Sequence, residues 1–488
     1  MLFNSVEFAI FFPVVTLLFF FLPHRFRWIL LLLASCFFYM FFRPVYIFIL
    51  FFTIIIDYFA GIWIAGAKNK KKRKAFLTLS ILANVGVLVA FKYYNFLAEN
   101  INILFQAVHV NKNIPFLNIL LPIGLSFHTF QAMSYTIEVY RGVQQPEKHF
   151  GIYALYVMFY PQLVAGPIER PQNMIHQFHE VKKFDYENMR HGLLLIAWGL
   201  FKKVVIADRL ALFVNHVYGN PFDYKGLPLI TGTIFFSFQI FCDFSGYSDI
   251  AIGSARCMGF KLMTNFNRPY MATSIGEFWQ RWHISLSSWF RDYVYIPLGG
   301  NRVSKVKWYR NILIVFILSG IWHGANWTFV IWGLLHGAYL VVENKFYGFF
   351  KQLKIASGWI AIVIKRLGVF ILVTIAWVFF RAQNISQAFY ILKNFFRDIP
   401  GQIKLVMTNE HFSRLQLLYM NQPGNEFIIA VLFLVIMMSI HFLQKASSFD
   451  EWLTRKSGYA RWSFYYALVL VFVCFGIFNR SAFIYFQF

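Results

Sequence analysis

Charge is scarce in this chain: only 14% of its 488 residues are Asp, Glu, Lys or Arg, against about 25% in a soluble globular domain. So little charge cannot cover a water-exposed surface, which excludes an ordinary soluble domain. Acidic residues are the scarcer sign, 21 against 45 Lys and Arg, for a formal charge of +24. In a soluble protein that excess would point to nucleic acid. Here the basic residues gather in short segments between apolar runs, the pattern that holds loops in the cytoplasm, so no nucleic-acid partner is expected. Cysteine is also rare. Cys36, Cys242, Cys257 and Cys474 lie in or beside apolar runs without CxxC spacing, and neither a disulfide framework nor a zinc site follows. There is no GxSxG elbow, Walker A loop or dinucleotide fingerprint. The first apolar run lacks a basic n-region and a small-residue cleavage site, so it reads as a permanent span and not a secretory signal.

What the chain does hold is apolar surface: 59% hydrophobic and 21% aromatic residues. Runs at 8–22, 28–42, 47–64, 76–97, 227–247, 427–442 and 463–478 approach the ~20 residues that cross a hydrocarbon core. The reading is an all-α polytopic membrane protein of about eleven or twelve crossings, with re-entrant pieces and interfacial amphipathic helices around a central tunnel. No repeat or soluble domain stands out, so residues 1–488 are taken as one membrane domain. The run KNKKKRK at Lys68–Lys74 fixes one cytoplasmic loop, and HRFR at His24–Arg27 agrees with it two spans earlier. Counting on, residues 445–461 are cytoplasmic and both termini lie outside. Lys202 and Lys203, inside the crossing expected at 192–219, are read as snorkelling or lining a wet cavity.

The segment 261–310 is too charged to span. Within it, residues 275–296 form one amphipathic helix at 100° per residue: Phe278, Trp279, Trp282, Leu286 and Trp289 on one stripe, Glu277, Arg281, Ser288 and Arg291 on the other. Such a helix suits the membrane interface. His283 falls at the stripe's border, able to reach a pocket while keeping contact with water.

Residues 319–337 read SGIWHGANWTFVIWGLLHG, placing His323 and His336 among tryptophans in an apolar stretch. An ionisable side chain at membrane depth usually marks a proton path, a ligand or a catalytic centre. Residues 312–342 are too long for one span and too short for two, so a helix broken near Gly333 or Gly337 is expected. An uncharged imidazole at His323 can accept a proton, which makes it a candidate general base for a hydroxyl attacking an acyl donor. The residues alone leave a duller reading open, a core histidine satisfied by a backbone carbonyl or by Asn326. No metal site is expected: His323 and His336 are not at helical ligand spacing and no acid accompanies them. His176 and His179 read as a solvated face, and His128 as packing.

Several blocks then resemble one family. DFSGYSDIAIGSA (Asp243–Ala255), NRPYMATSIGEFWQRWHISLSSWFRDYVYIPLGGNR (Asn267–Arg302), the SGIWHG stretch, KYYNF (Lys92–Phe96), PQLVAGPIERP (Pro161–Pro171) and WVFFRA (Trp377–Ala382) together look like the membrane-bound O-acyltransferase family. They are most like its branch of bacterial alginate O-acetyltransferase membrane subunits. The resemblance implies that His323 is the family's catalytic histidine and His283 its second, more variable polar position, orienting or shuttling a proton at the cytoplasmic mouth. Trp322 and Asn326 would shape the cavity and hold the ring. Arg281 and Arg291 would meet the donor's phosphates or anionic lipid. It implies acetyl-CoA as the donor, no further cofactor, an extracytoplasmic acetyltransferase partner, an exported polysaccharide or peptidoglycan as acceptor, and the bacterial cytoplasmic (inner) membrane as location. An aromatic residue is usual at position 128, so His128 departs from the pattern and gains no role. The rival readings are a proton-coupled polysaccharide or lipid transporter, against which stand the lack of paired intramembrane carboxylates and of an inverted repeat, and a structural anchor for a secreted enzyme.

Overall fold

The computed structural model describes residues 1–118, 121–352, 358–408, 416–444, 449–478 and 483–484. Among them there is no strand, and six helices are long and apolar enough to cross a membrane: Pro44–Gly66, Lys70–Ala107, Leu227–Cys257, Trp359–Arg381, Gly424–Leu443 and Gly458–Phe475. The chain is therefore an all-α, multi-pass membrane protein. Every apolar run read from the sequence lies on a helix, although the runs at 8–22, 28–42 and 463–478 extend past its C-terminal end. The remaining crossings expected from hydropathy fall on helices that are shorter or more polar. Residues 445–448, the start of the second basic stretch, lie outside the described residues.

Two compact units divide the chain. One comprises Met1–Ile196 with Ser248–Thr264, the other Ala197–Tyr247 with Asn265–Ile484. In the first, α1 (Ile47–Gly66), α2 (Lys70–Leu88) and α3 (Leu125–Arg141) pack on one another. Asn69 caps α2 by accepting from the Lys71 amide at 2.8 Å, yet the helix opens with Lys70 to Lys74, KKKRK. Cations at a helix N-terminus oppose the macrodipole. That run works against the helix start.

Lipid-facing helices gain little from burying apolar side chains against one another, so polar contacts and close packing must join them. Fully buried Asp57 on α1 accepts from Ser80 Oγ at 2.5 Å and from Asn84 Nδ2 at 2.8 Å, both on α2, and Ser80 meets Thr136 of α3 at 2.9 Å. One turn earlier, Thr53 Oγ1 lies 2.6 Å from His128 Nε2. His128 is thus a hydrogen-bonded link between α1 and α3, more than the packing residue read from the sequence.

The second unit is built on α4 (Leu227–Cys257), whose residues up to Tyr247 belong to it. Before α4, the chain widens into a π-helical turn at Phe201–Ala207 that carries Lys202 and Lys203. Both are buried. Lys203 Nζ lies 2.9 Å from Asp208 and 2.8 Å from Asp243, and Lys202 donates to Ser245 Oγ at 2.8 Å. The snorkelling expected of Lys203 is replaced by pairing, because two carboxylates offer a better exchange for lost hydration than a distant interface. Two carboxylates do meet here, which removes one sequence argument against a transporter.

Candidate active site

Four further helices of this second unit carry or flank the candidate residues: α5 (Ile275–Arg281), α6 (Ile284–Phe290), α7 (Lys305–His323) and α8 (Trp327–Gln352), with α9 (Trp359–Arg381) packed beside α8. The segment 275–296 is not one amphipathic helix. Ser274 caps α5 by accepting from the Glu277 amide at 3.0 Å, and Glu277 reaches back to the Thr273 amide at 2.6 Å, so the S-x-x-E spacing works as a helix start. The Glu343 carboxylate of α8 accepts from the Ile275 amide at 2.7 Å. Then α5 stops at Arg281, and His283 turns the chain with φ 44°, in the left-handed region. That conformation costs an ordinary residue about 1–2 kcal/mol and is held by tertiary contacts.

Those contacts overturn the interfacial placement of His283. The ring is fully buried, with Phe244 edge-on at 4.6 Å. Its Nδ1 lies 3.0 Å from Asn265 Oδ1, which also accepts from Ser285 Oγ at 2.9 Å. An oxygen that accepts from Ser285 must accept from the ring as well, so Nδ1 carries the proton and Nε2 is the basic nitrogen. Asn265 had no signal in the sequence, since it lies 18 residues before the ring that it orients.

The expected helix break is displaced too. The chain breaks at Gly324 to Asn326, immediately after His323, and α8 runs straight through Gly333 and Gly337. A Cβ on Gly320 would stand 2.2 Å from the Phe329 carbonyl oxygen, and one on Gly333 would stand 2.2 Å from that of Phe316. These glycines serve close approach of α7 and α8, as small residues do between membrane helices, and do not end a helix. Gly324 is extended, and a Cβ there would strike the Phe329 ring at 2.1 Å.

His323 is consequently the last residue of α7, buried in a box of rings: Trp322 at 4.9 Å, Trp332 at 4.9 Å and Phe380 of α9 at 5.3 Å. Trp322 also lies 6.3 Å from the His283 ring. One indole therefore touches both candidate histidines, which the sequence separates by 40 residues. Asn326 does not hold the His323 ring; it accepts from the Thr328 amide at 2.9 Å, capping α8, and donates to the Gln383 carbonyl at 3.0 Å.

A cavity of about 430 Å³ lies against this assembly, lined among others by Trp279, Gln280, Ser287, Ser288, Arg291 and Ser319. Ser319 is one helical turn before His323. Arg291 stands at its exposed rim, 2.8 Å from Asp292, whereas Arg281 is paired with Glu277 at 2.6 Å and is not among the lining residues. The volume falls within the range of small-molecule pockets, roughly 300–1,000 Å³.

The comparisons with known proteins agree with this architecture. The membrane-bound O-acyltransferase (MBOAT) family model matches residues 114–382. The chain is 38% identical to a probable alginate O-acetylase of Azotobacter vinelandii over 80% of its own length and 76% of the relative's. It is 38% identical to a peptidoglycan O-acetyltransferase of Helicobacter pylori over 74% and 72%, and 29% identical to a teichoic acid D-alanyltransferase of Bacillus subtilis over 49% and 62%. All three names describe acyl transfer to a cell-surface polymer. With the family match over more than half of the chain and relatives alike over most of it, this protein belongs to the membrane-bound O-acyltransferase family and is an acyltransferase.

Proposed function

We propose that the chain takes an acetyl group from cytoplasmic acetyl-CoA and passes it across the bacterial cytoplasmic membrane for O-acetylation of an exported polysaccharide, through an extracytoplasmic partner protein. In this reading both termini lie outside. The observation that carries it is the position of His323 at a helix end, one turn from a serine that lines the cavity of about 430 Å³. His323 acts as the general base for the acceptor hydroxyl. His283, its basic Nε2 set by Asn265, moves a proton at the thioester end. Trp322 holds the two rings apart at fixed geometry. Arg291 at the cavity rim meets the donor's phosphates, a bidentate partner for which guanidinium is well suited, while Arg281, which does not line the cavity, keeps a structural task.

The test is His323→Ala in vesicles supplied with labelled acetyl-CoA. A general base contributes about 10² to 10⁴ in rate, so transfer should fall by that factor while membrane insertion is unchanged. Wild-type turnover in the variant would return the ring to a packing role. The alternative of a proton-coupled polysaccharide or lipid transporter draws support from Asp208 and Asp243 sharing buried Lys203. It requires movement of unmodified substrate with no acyl donor present, and membership of an acyltransferase family weighs against it.

A further inference from the structure

His336 takes no part in the site described so far, yet its surroundings are unusual for a polar group. It is wholly buried, and its ring packs against Trp279 at 4.9 Å, Trp332 at 5.0 Å and Trp377 at 6.3 Å. Trp279 and Trp332 meet at 5.7 Å, and Trp332 stacks on Trp377 at 5.8 Å. Among the described residues, neither imidazole nitrogen and none of these three indole N–H groups has a hydrogen-bond partner. Buried polar groups are nearly always paired. A phenylalanine would fill the place of His336 without stranding two nitrogens, so packing alone does not account for a histidine there.

Two contacts tie the cluster to the reaction. Trp332 stands 4.9 Å from the His323 ring and 5.0 Å from that of His336. Trp279 forms part of the wall of the 430 Å³ cavity, so the cluster begins where the cavity ends. Resting on the donor reading above, we propose that His336, with the N–H groups of Trp279 and Trp332, binds the carbonyl oxygen of the donor's short acyl thioester and the negative charge that this oxygen acquires during transfer. Trp279, which borders both cavity and cluster, turns to admit the acyl end.

The acceptor hydroxyl oxygen bonds to the thioester carbon and its proton passes to His323. The carbonyl electron pair moves onto oxygen, where preorganised N–H donors meet it, the arrangement that stabilises such intermediates most strongly. Collapse restores the carbonyl and breaks the carbon–sulfur bond, and the thiolate leaves with that proton, passed from His323 by way of His283. The products are an ester and a free thiol.

The experiment measures binding of acetyl-CoA and of CoA, which lacks the acyl carbonyl, to the full-length chain in detergent, for wild type, His336→Phe and His336→Gln. Wild type should prefer acetyl-CoA by at least about tenfold. His336→Phe should bind CoA as before, lose that preference, melt no lower than wild type, and transfer acetyl at least about 100-fold more slowly through kcat. His336→Gln, which keeps an N–H, should recover part of both; it also carries the test if the phenylalanine variant fails to fold. Retention of the acetyl preference and turnover in the folded variants would overturn the assignment and leave the donor reading standing. A wild-type chain that binds neither compound would overturn both, and the wild-type arm alone reveals that.

Discussion

Two regions, one in each unit, bury polar side chains in opposite ways. Around Asp57 in the first, the polar side chains answer one another across three helices: carboxylate to serine and asparagine, serine to threonine, threonine to histidine. Around His323 and His336 in the second, polar nitrogens are walled by aromatic rings, and those of His336, Trp279, Trp332 and Trp377 meet no partner among the described residues. Matched polar groups join helices where apolar contact gives no advantage over lipid. Unmatched ones reduce stability, and a protein keeps them where a substrate supplies the missing partner. The first region should therefore govern stability and the second turnover.

The sharpest way to break that division is to deform the second region's frame. Gly333→Ala puts a methyl group within 2.2 Å of the Phe316 carbonyl oxygen, and overpacking against backbone should cost about 3 kcal/mol. It should lower both the melting temperature in detergent and the transfer rate, because α7 and α8 together position His323. Next comes Asp57→Ala, which strands donors on Ser80 and Asn84 and should cost about 2 kcal/mol. Acetyl transfer per folded molecule should be unchanged. If the variant is as stable as wild type but inactive, the polar cluster of the first unit is functional and the comparison fails.

The smallest effect concerns Glu277. Burial works against its charge, but the Thr273 amide and hydroxyl and the Arg281 guanidinium outweigh that and hold the carboxyl below its ordinary value. A depressed carboxyl contributes stability that is fully present above the unfolded value, about 4.3, and is lost as pH falls through the lower folded value. Glu277→Gln should thus cost about 1 kcal/mol at neutral pH, and the gap from wild type should close below about pH 4. A gap independent of pH would mean that the carboxylate's charge does not matter to the start of α5.

How much of the site could be read in advance depended on the range of the interaction. His323 was legible because a histidine in an apolar stretch is costly wherever the chain goes. The break after His323 was misplaced because Gly333 looks like a breaker from within one helix. Only the opposing Phe316 carbonyl shows that the missing side chain makes room for a neighbour. The burial of His283 was hidden for a similar reason: periodicity assumes an uninterrupted helix, and what interrupts it is Asn265, on a different segment.

The sequence by itself determined that this is a helical membrane protein, which loops carry the basic residues, and that His323 and His336 stand in an apolar stretch, since composition and periodicity act locally and additively. The tertiary structure alone decided that Trp322 touches both His283 and His323, that Lys203 sits between two carboxylates, and that three indoles close around His336. Each of these needs side chains from separate segments to meet within a few ångströms, and no single stretch of chain encodes such a meeting.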